Sequence, residues 1–189
     1  VLYYPAGAIL THQIDDDPSF AAKNEKTETP KEIATLYALI DREVNKHVWT
    51  PNLPFFFPSA VLDNMPSFQL GLINAVHKTV LTLREQNPEA PELKSAADLL
   101  AYPGTKWYLS GWKPSVSANG QYQKARIDLM KYESLLEEGK RTFNADREAL
   151  SAVLSAQASL LKENAEKIRK QVAKYEKRPI DLRGDNVFY

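Results

Sequence analysis

A seven-residue period runs through the last third of the chain and limits what that third can become. Tyr122, Leu129, Leu136, Phe143 and Leu150 recur at this spacing, with Ala125 and Tyr132 three residues after the first two. Leu154, Leu161, Ile168 and Tyr175 carry the period on, offset by four from Ala158, Ala165 and Val172. Apolar residues at steps of three and four lie on one side of a helix, and a sustained heptad is the seam of a coiled coil. The register slips once between Leu150 and Leu154, as a stutter does. Two geometries fit. One helix could run from Gln121 to Tyr175, about 80 Å long at about 1.5 Å per residue. Alternatively, Gly139 ends one helix and a second returns as a hairpin. The apolar phase continues through Phe143 and Leu150, which favours one helix. Gly139 and Asp146 fall at seam positions and weaken it.

Upstream, the punctuation is that of a helical domain. Thr29-Pro30-Lys31-Glu32 predicts a helix start, with Thr29 as cap, Pro30 in the first turn and Glu32 closing a capping box. Ile33, Leu36, Tyr37, Ile40 and Val44 give that helix an apolar face to about Lys46. Trp49 to Pro58 holds three prolines and three consecutive phenylalanines, which exclude a helix interior or a central strand. Asp63 or Asn64 can cap a second helix with Pro66 in its first turn. Its stripe is Leu72, Ile73, Val76, Val80 and Leu83, and it ends near Asn87-Pro88. A shorter helix spans Pro91 to Tyr102 with Leu93, Ala97 and Leu100 on one face, stopped by Pro103-Gly104. Thr105 to Gly120 reads as an ordered loop packed by Trp107, Tyr108 and Trp112. Regular structure stops at Arg178-Pro179.

Composition and motifs exclude most chemistry. Lys plus Arg equals Asp plus Glu at 24 each, without the basic excess of a nucleic-acid-binding domain. The chain has no cysteine, so thiolate nucleophiles, disulfides and Cys-type zinc sites are ruled out. His12, His47 and His77 show no metal-ligand spacing, and His77 reads as a boundary residue on its helix. Asp15-Asp16-Asp17 offers oxygen ligands but lacks the spacing of a calcium loop, so it reads as solvated loop or cap. There is no nucleophile elbow, no Ser-x-x-Lys motif of the β-lactamase kind and no phosphate loop, and no cofactor is expected. Ser151, Ser155 and Ser159 share a helix face and read as packing or solvent residues. Glu137-Glu138 and the aspartate run give no sign of a paired-carboxylate site.

The chain opens on VLYYPAGAIL before its aspartates. A bilayer-crossing helix needs roughly 20 mostly apolar residues. Val1 to Leu10 is half that, with Pro5 and Gly7 in it. It reads either as a buried element of a soluble domain or as the outer end of a membrane anchor, with Tyr3 and Tyr4 as an interfacial aromatic pair.

Leu62-Asp63-Asn64-Met65-Pro66, followed by Ser67-Phe68-Gln69-Leu70-Gly71-Leu72, resembles an uncharacterised bacterial family catalogued as domain of unknown function twenty-three thirty-three. The tail Asp185-Asn186-Val187-Phe188-Tyr189 is similar to a family segment, and Phe143 to Arg147 matches more loosely. Family members look like single-span inner-membrane proteins with a large periplasmic portion. The resemblance implies an anchor preceding Val1 and chain continuing after Tyr189, and it implies no catalytic residues. Lys23 to Thr29 and Phe55 to Phe57 have no counterpart in it.

The expectation is a mainly α fold, with two to three core helices and a long coiled-coil-like C-terminal helix or helical hairpin. Residues 1–14 would be anchor end and juxtamembrane segment, 15–29 a polar linker, and 30–189 one helical domain containing the heptad segment 121–175. The leading function is a membrane-anchored envelope protein, its bulk in the periplasm, acting as a non-enzymatic subunit of an inner-membrane complex. Its partners would be the membrane, through the segment ending near Leu10, and a protein of the inner membrane or periplasm. Candidate contact residues are Phe55, Phe56, Phe57, Asp63, Asn64, Met65, Leu161 and Ile168. For the Phe55–Phe57 run and the Leu62–Pro66 segment, a core plug and a helix cap are the competing readings. Rival functions are an envelope enzyme using acids from Asp15–Asp17 or Asp63, and a carrier of lipid or a small ligand.

Overall fold

The computed structural model describes residues 3–12, 14, 15, 17, 20, 30–54, 56–58, 62, 64–107, 109, 110, 113–144 and 146–175. Within them the fold is mainly α. The elements are α1 (Tyr3–Thr11), α2 (Lys31–Asp41) running into a π-turn (Arg42–Lys46), α3 (Asn64–Gln86), α4 (Pro91–Leu100), α5 (Ala118–Glu137) and α6 (Arg147–Tyr175). A short antiparallel ladder, β1 (Leu109–Ser110) and β2 (Lys113–Pro114), pairs Leu109 with Pro114 and Ser110 with Lys113 in the stretch expected to be loop. Tyr108 and Trp112 lie outside the described residues.

The core forms where four stripes meet. Ile33, Leu36 and Ile40 of α2, Ile73, Val76, Val80 and Leu83 of α3, and Leu93, Ala97 and Leu100 of α4 are buried, as their spacing predicts. Tyr122, Ala125, Leu129 and Tyr132 of α5 complete the cluster. α5 packs on both α2 and α4, α4 packs on α3, and α6 packs on α3. Trp49 is buried under α5, edge-on to Tyr122 at 5.2 Å, and its Nε1–H donates to the Gly104 carbonyl at 3.0 Å. A Cβ at Gly104 would overlap Leu70 Cδ2, so a larger residue there would have to displace the Leu70 side chain.

The heptad segment is two helices. α5 ends in a Schellman motif: Gly139 has φ +67°, and the Lys140 N–H donates to the Leu135 carbonyl at 2.9 Å. Asp146 caps α6, its Oδ1 accepting from the Ala149 N–H at 2.7 Å. The two residues that fit the seam worst are therefore the stop and the start. The break excludes the single helix from Gln121 to Tyr175. Nor do α5 and α6 pair along their lengths as a coiled-coil hairpin would, because the α5 stripe is already buried on α2 and α4. Phe143 is half-buried against the core. The predicted first helix starts at Lys31, with Pro30 as its cap and no side-chain cap bond, and Thr29 lies outside the described residues.

Ion pairs fasten the far ends of these helices. Glu92, at the start of α4, is buried and meets Arg141 at 3.3 Å and Lys131 at 3.5 Å. Tyr37 of α2 donates to Glu133 of α5 at 2.9 Å, and burial together with that carboxylate pushes the phenol up to about 12.

Two predictions follow from this packing. Leu129→Ala opens a core cavity and should lower unfolding free energy by about 3 kcal/mol. Leu161→Ala, at an equivalent heptad position but exposed, should stay within about 0.5 kcal/mol. Urea denaturation of both variants checks the contrast. For Glu92, burial pushes the carboxyl up, but its own backbone N–H, Arg141 and Lys131 outweigh that, and the net shift is downward from 4.5. A native value below the unfolded one gives stability that is present above pH 4.5 and lost as pH falls through the depressed value. Glu92→Gln should flatten that acid limb in a pH series of thermal melts. An unchanged limb would show that the pairing carries no stability.

Candidate functional site

Two apolar surfaces and one buried polar cluster stand out. The first surface is built around α1. Its Ala8 is buried with Leu62 and Met65, and Ile14 packs beside them. Pro5 sits in the first turn, where its missing N–H is no loss, so the helix runs through both Pro5 and Gly7. A Cβ at Gly7 would collide with the Pro58 ring, so α1 lies directly against the end of the phenylalanine run. Tyr3, Ile9 and Leu10 are exposed on the helix, and Phe56 and Phe57 on the adjoining loop, their rings 5.1 Å apart. The structure thus brings together two segments that are more than forty positions apart in the chain.

Several contact candidates have different places. Phe55 and Asp63 lie outside the described residues, as do Asp16 and the tail Asp185 to Tyr189. Asn64 is the first residue of α3 and is half-buried. Met65 is fully buried against α1, so its contact is with its own chain, and it is removed from the docking set. Leu161 and Ile168 are 69% and 58% exposed, on the second surface. That surface is the outer stripe of α6. The helix packs on α3 through Ala149, Val153, Ala156 and Leu160, while Leu150, Leu154, Leu161, Ile168 and Val172 face outward. Gln157 secures the packed face by donating to the Ala75 carbonyl at 3.0 Å and Thr79 Oγ1 at 2.7 Å. Ser151, Ser155 and Ser159 are exposed.

The polar cluster is centred on Glu43, whose side chain has 0% exposure. Its Oε1 accepts from Arg42 Nε at 2.7 Å, and its Oε2 lies 3.2 Å from both His47 Nδ1 and Gln69 Nε2. Gln69 also donates to the Val48 carbonyl at 3.0 Å and accepts from the Thr50 N–H and hydroxyl at 2.9 and 2.8 Å. Arg42 reaches Asp15 at 3.1 Å and lies 4.8 Å from the centre of the Phe20 ring. The π-turn makes this possible: its wider hydrogen-bond step, His47 N–H to the Arg42 carbonyl at 2.8 Å, turns two consecutive charged residues inward.

This cluster was hidden from sequence reading, although a trace was there. Glu43 falls seven residues after Leu36, and Gln69 four before Ile73, so both are polar interruptions of apolar stripes. The geometry is that of a clamp. Each polar atom of Glu43 and Gln69 is engaged inside the chain, which joins the α1–α2 connection, the π-turn, the Val48–Thr50 loop and α3. Of the acids that the enzyme reading needed, Asp15 pairs with Arg42, and Asp16 and Asp63 lie outside the described residues. Among the described residues no group of three or more His, Asp or Glu is placed to hold a metal ion. The cleft between α3 and α6, lined by Thr79, Leu83, Phe143 and Val153, encloses about 100 Å³. Ligand pockets usually hold about 300–1,000 Å³, so a lipid does not fit there. His77 is half-buried, and burial, followed by Lys78 and Arg84, lowers its pKa from 6.5.

Arg42→Met leaves the Glu43 carboxyl short of its charged partner and should cost about 3–5 kcal/mol in urea denaturation. Asp15→Asn removes a half-exposed partner and should cost less than about 1 kcal/mol. Equal costs would contradict the placement of the clamp at Glu43.

No protein-family model, curated protein or solved structure matches this chain.

Proposed function

We propose that this chain is the body of a membrane-anchored envelope protein, lying in the bacterial periplasm and serving as a non-enzymatic interaction subunit of an inner-membrane complex. The observation that carries the reading is the α1 surface. A helix exposing Tyr3, Ile9 and Leu10 lies against a loop exposing Phe56 and Phe57. Apolar surface gathered in this way suits a lipid interface or an apolar protein partner better than water. The Asp15–Arg42 ion pair supports the reading from the other side, because it ties the segment after α1 to the rigid core. Asp15 is then a point of attachment between that segment and the core. Similarity of Leu62–Pro66 to the domain of unknown function twenty-three thirty-three family adds support for an inner-membrane anchor and a periplasmic body. Among the described residues no helix is long and apolar enough to cross a membrane, so the anchor itself belongs to the proposal.

The test is made in cells of the source bacterium, with the native full-length protein. It should stay with the inner membrane after carbonate washing, and protease added to spheroplasts should digest the helical body. Release by carbonate, or full protection in spheroplasts, overturns the location. A stoichiometric partner should copurify from solubilised membranes, and Phe56→Ser with Phe57→Ser should lose it without lowering the melting temperature. Full retention of the partner removes the phenylalanine surface from the contact.

A further inference from the structure

α1 is held by a set of contacts separate from those that join the core helices. Ala8, Leu62 and Met65 form an apolar cluster of their own, with Ile14 beside it. The main core cluster draws on α2, α3, α4 and α5 and contains none of these residues. Lifting α1 away would uncover Ala8, Leu62 and Met65 and leave the main core intact. An element that buries little apolar surface opens locally at a lower cost than global unfolding.

The chain after α1 is locally ordered and ends on a catch. Thr11 Oγ1 donates to the Gly7 carbonyl at 2.9 Å, and the His12 N–H donates to the Ala8 carbonyl at 2.9 Å. Asp15 Oδ1 accepts from the Asp17 N–H at 3.2 Å, and its Oδ2 pairs with Arg42 at 3.1 Å. The Phe20 N–H donates to the Asp17 carbonyl at 3.1 Å, and the Phe20 ring lies 4.8 Å from the Arg42 guanidinium. The two sides of the catch differ in burial, with the Asp15 side chain 40% exposed and that of Arg42 7%. Water screens an ion pair with one half-exposed partner, so releasing it costs little. Release also strands no charge in the core, because Arg42 Nε stays on Glu43.

We propose that α1, with Asp15 and Phe20 as its catch on Arg42, is a strap that opens as one unit while the helical core stays folded. Closed, it sets Tyr3, Ile9 and Leu10 beside Phe56 and Phe57. Open, it parts the two halves of that surface and bares Met65. The strap is therefore a switch for the apolar contact surface, and a partner that binds the assembled surface draws it shut. The switch rests on the reading above for what the surface contacts. The opening itself needs neither partner nor membrane.

The test uses the 189-residue chain alone, with its two methionines as reporters. Met65 is fully buried against α1, and Met130 of α5 is 39% exposed. Peroxide oxidises a methionine sulfur that reaches solvent. The oxidation rate of Met65 relative to Met130, read by peptide mass spectrometry, therefore measures opening. Gly7→Ala drives a methyl group into the Pro58 ring and should speed Met65 oxidation about tenfold. If α1 were free of that contact, the better helix former would slow it about fivefold instead. Asp15→Asn should speed it about twofold to fivefold. Amide hydrogen exchange from Ala8 to His12 should quicken by the same factors in each variant, with the amides of α4 and α5 unchanged. The strap is overturned if neither variant speeds Met65 oxidation, if Gly7→Ala slows it, or if α4 and α5 quicken equally. Should both variants behave as expected while the Phe56→Ser, Phe57→Ser protein keeps its membrane partner, the opening stands and the contact role of the surface falls.

Discussion

A carboxyl group with no access to water is the constraint around which this fold is arranged. Glu43 would be costly to bury unpartnered, and it is held by Arg42, His47 and Gln69. Each partner comes with a piece of architecture. Arg42 and Glu43 both face inward because α2 ends in a π-turn. Gln69 brings in the first turns of α3 and, through Thr50, the loop that carries Trp49 beneath Tyr122. Asp15, on Arg42, brings in the segment that follows α1. Helix packing supplies most of the buried area. The cluster sets where the irregular segments meet the helices.

The seven-residue period serves two purposes in one chain. In α5 it is a core stripe, covered on both sides by α2 and α4. In α6 it is an outer stripe, because a different face of the same helix meets α3. The break between them is made by Gly139 and Asp146, which end one helix and begin the next. A seam unused by the core is a surface the molecule keeps at a cost in solubility. The second such surface, α1 with Phe56 and Phe57, has the same character. Both are exposed apolar surfaces of the kind that the proposed interaction role would use.

Much of the helical plan was legible beforehand. The stripes of α3 and α4, the start of α3 at Asn64 and its end near Asn87 follow from spacing and capping chemistry. The clamp was not legible as a unit, because Gln69 and Glu43 are 26 positions apart, and local patterns carry no record of such a pairing. Met65 could not be placed for a similar reason. A methionine beside a helix cap reads equally well as surface or core, and the docking of α1 decides it. The contact of Gly7 with Pro58 likewise had no local signal beyond a glycine in an apolar run.

By itself the sequence determined the class of fold, the apolar side of each core helix and most of the stops and starts. These are local properties, set by side-chain spacing, capping groups and backbone freedom. Tertiary structure alone decided which apolar stripes are covered. Periodicity reports that a helix has an apolar side, and it is the same for a stripe under α2 and for one facing water. Which neighbour arrives depends on the long-range pairing of Glu43 with Gln69, Asp15 with Arg42 and Glu92 with Arg141, and on the space that the helices leave for one another.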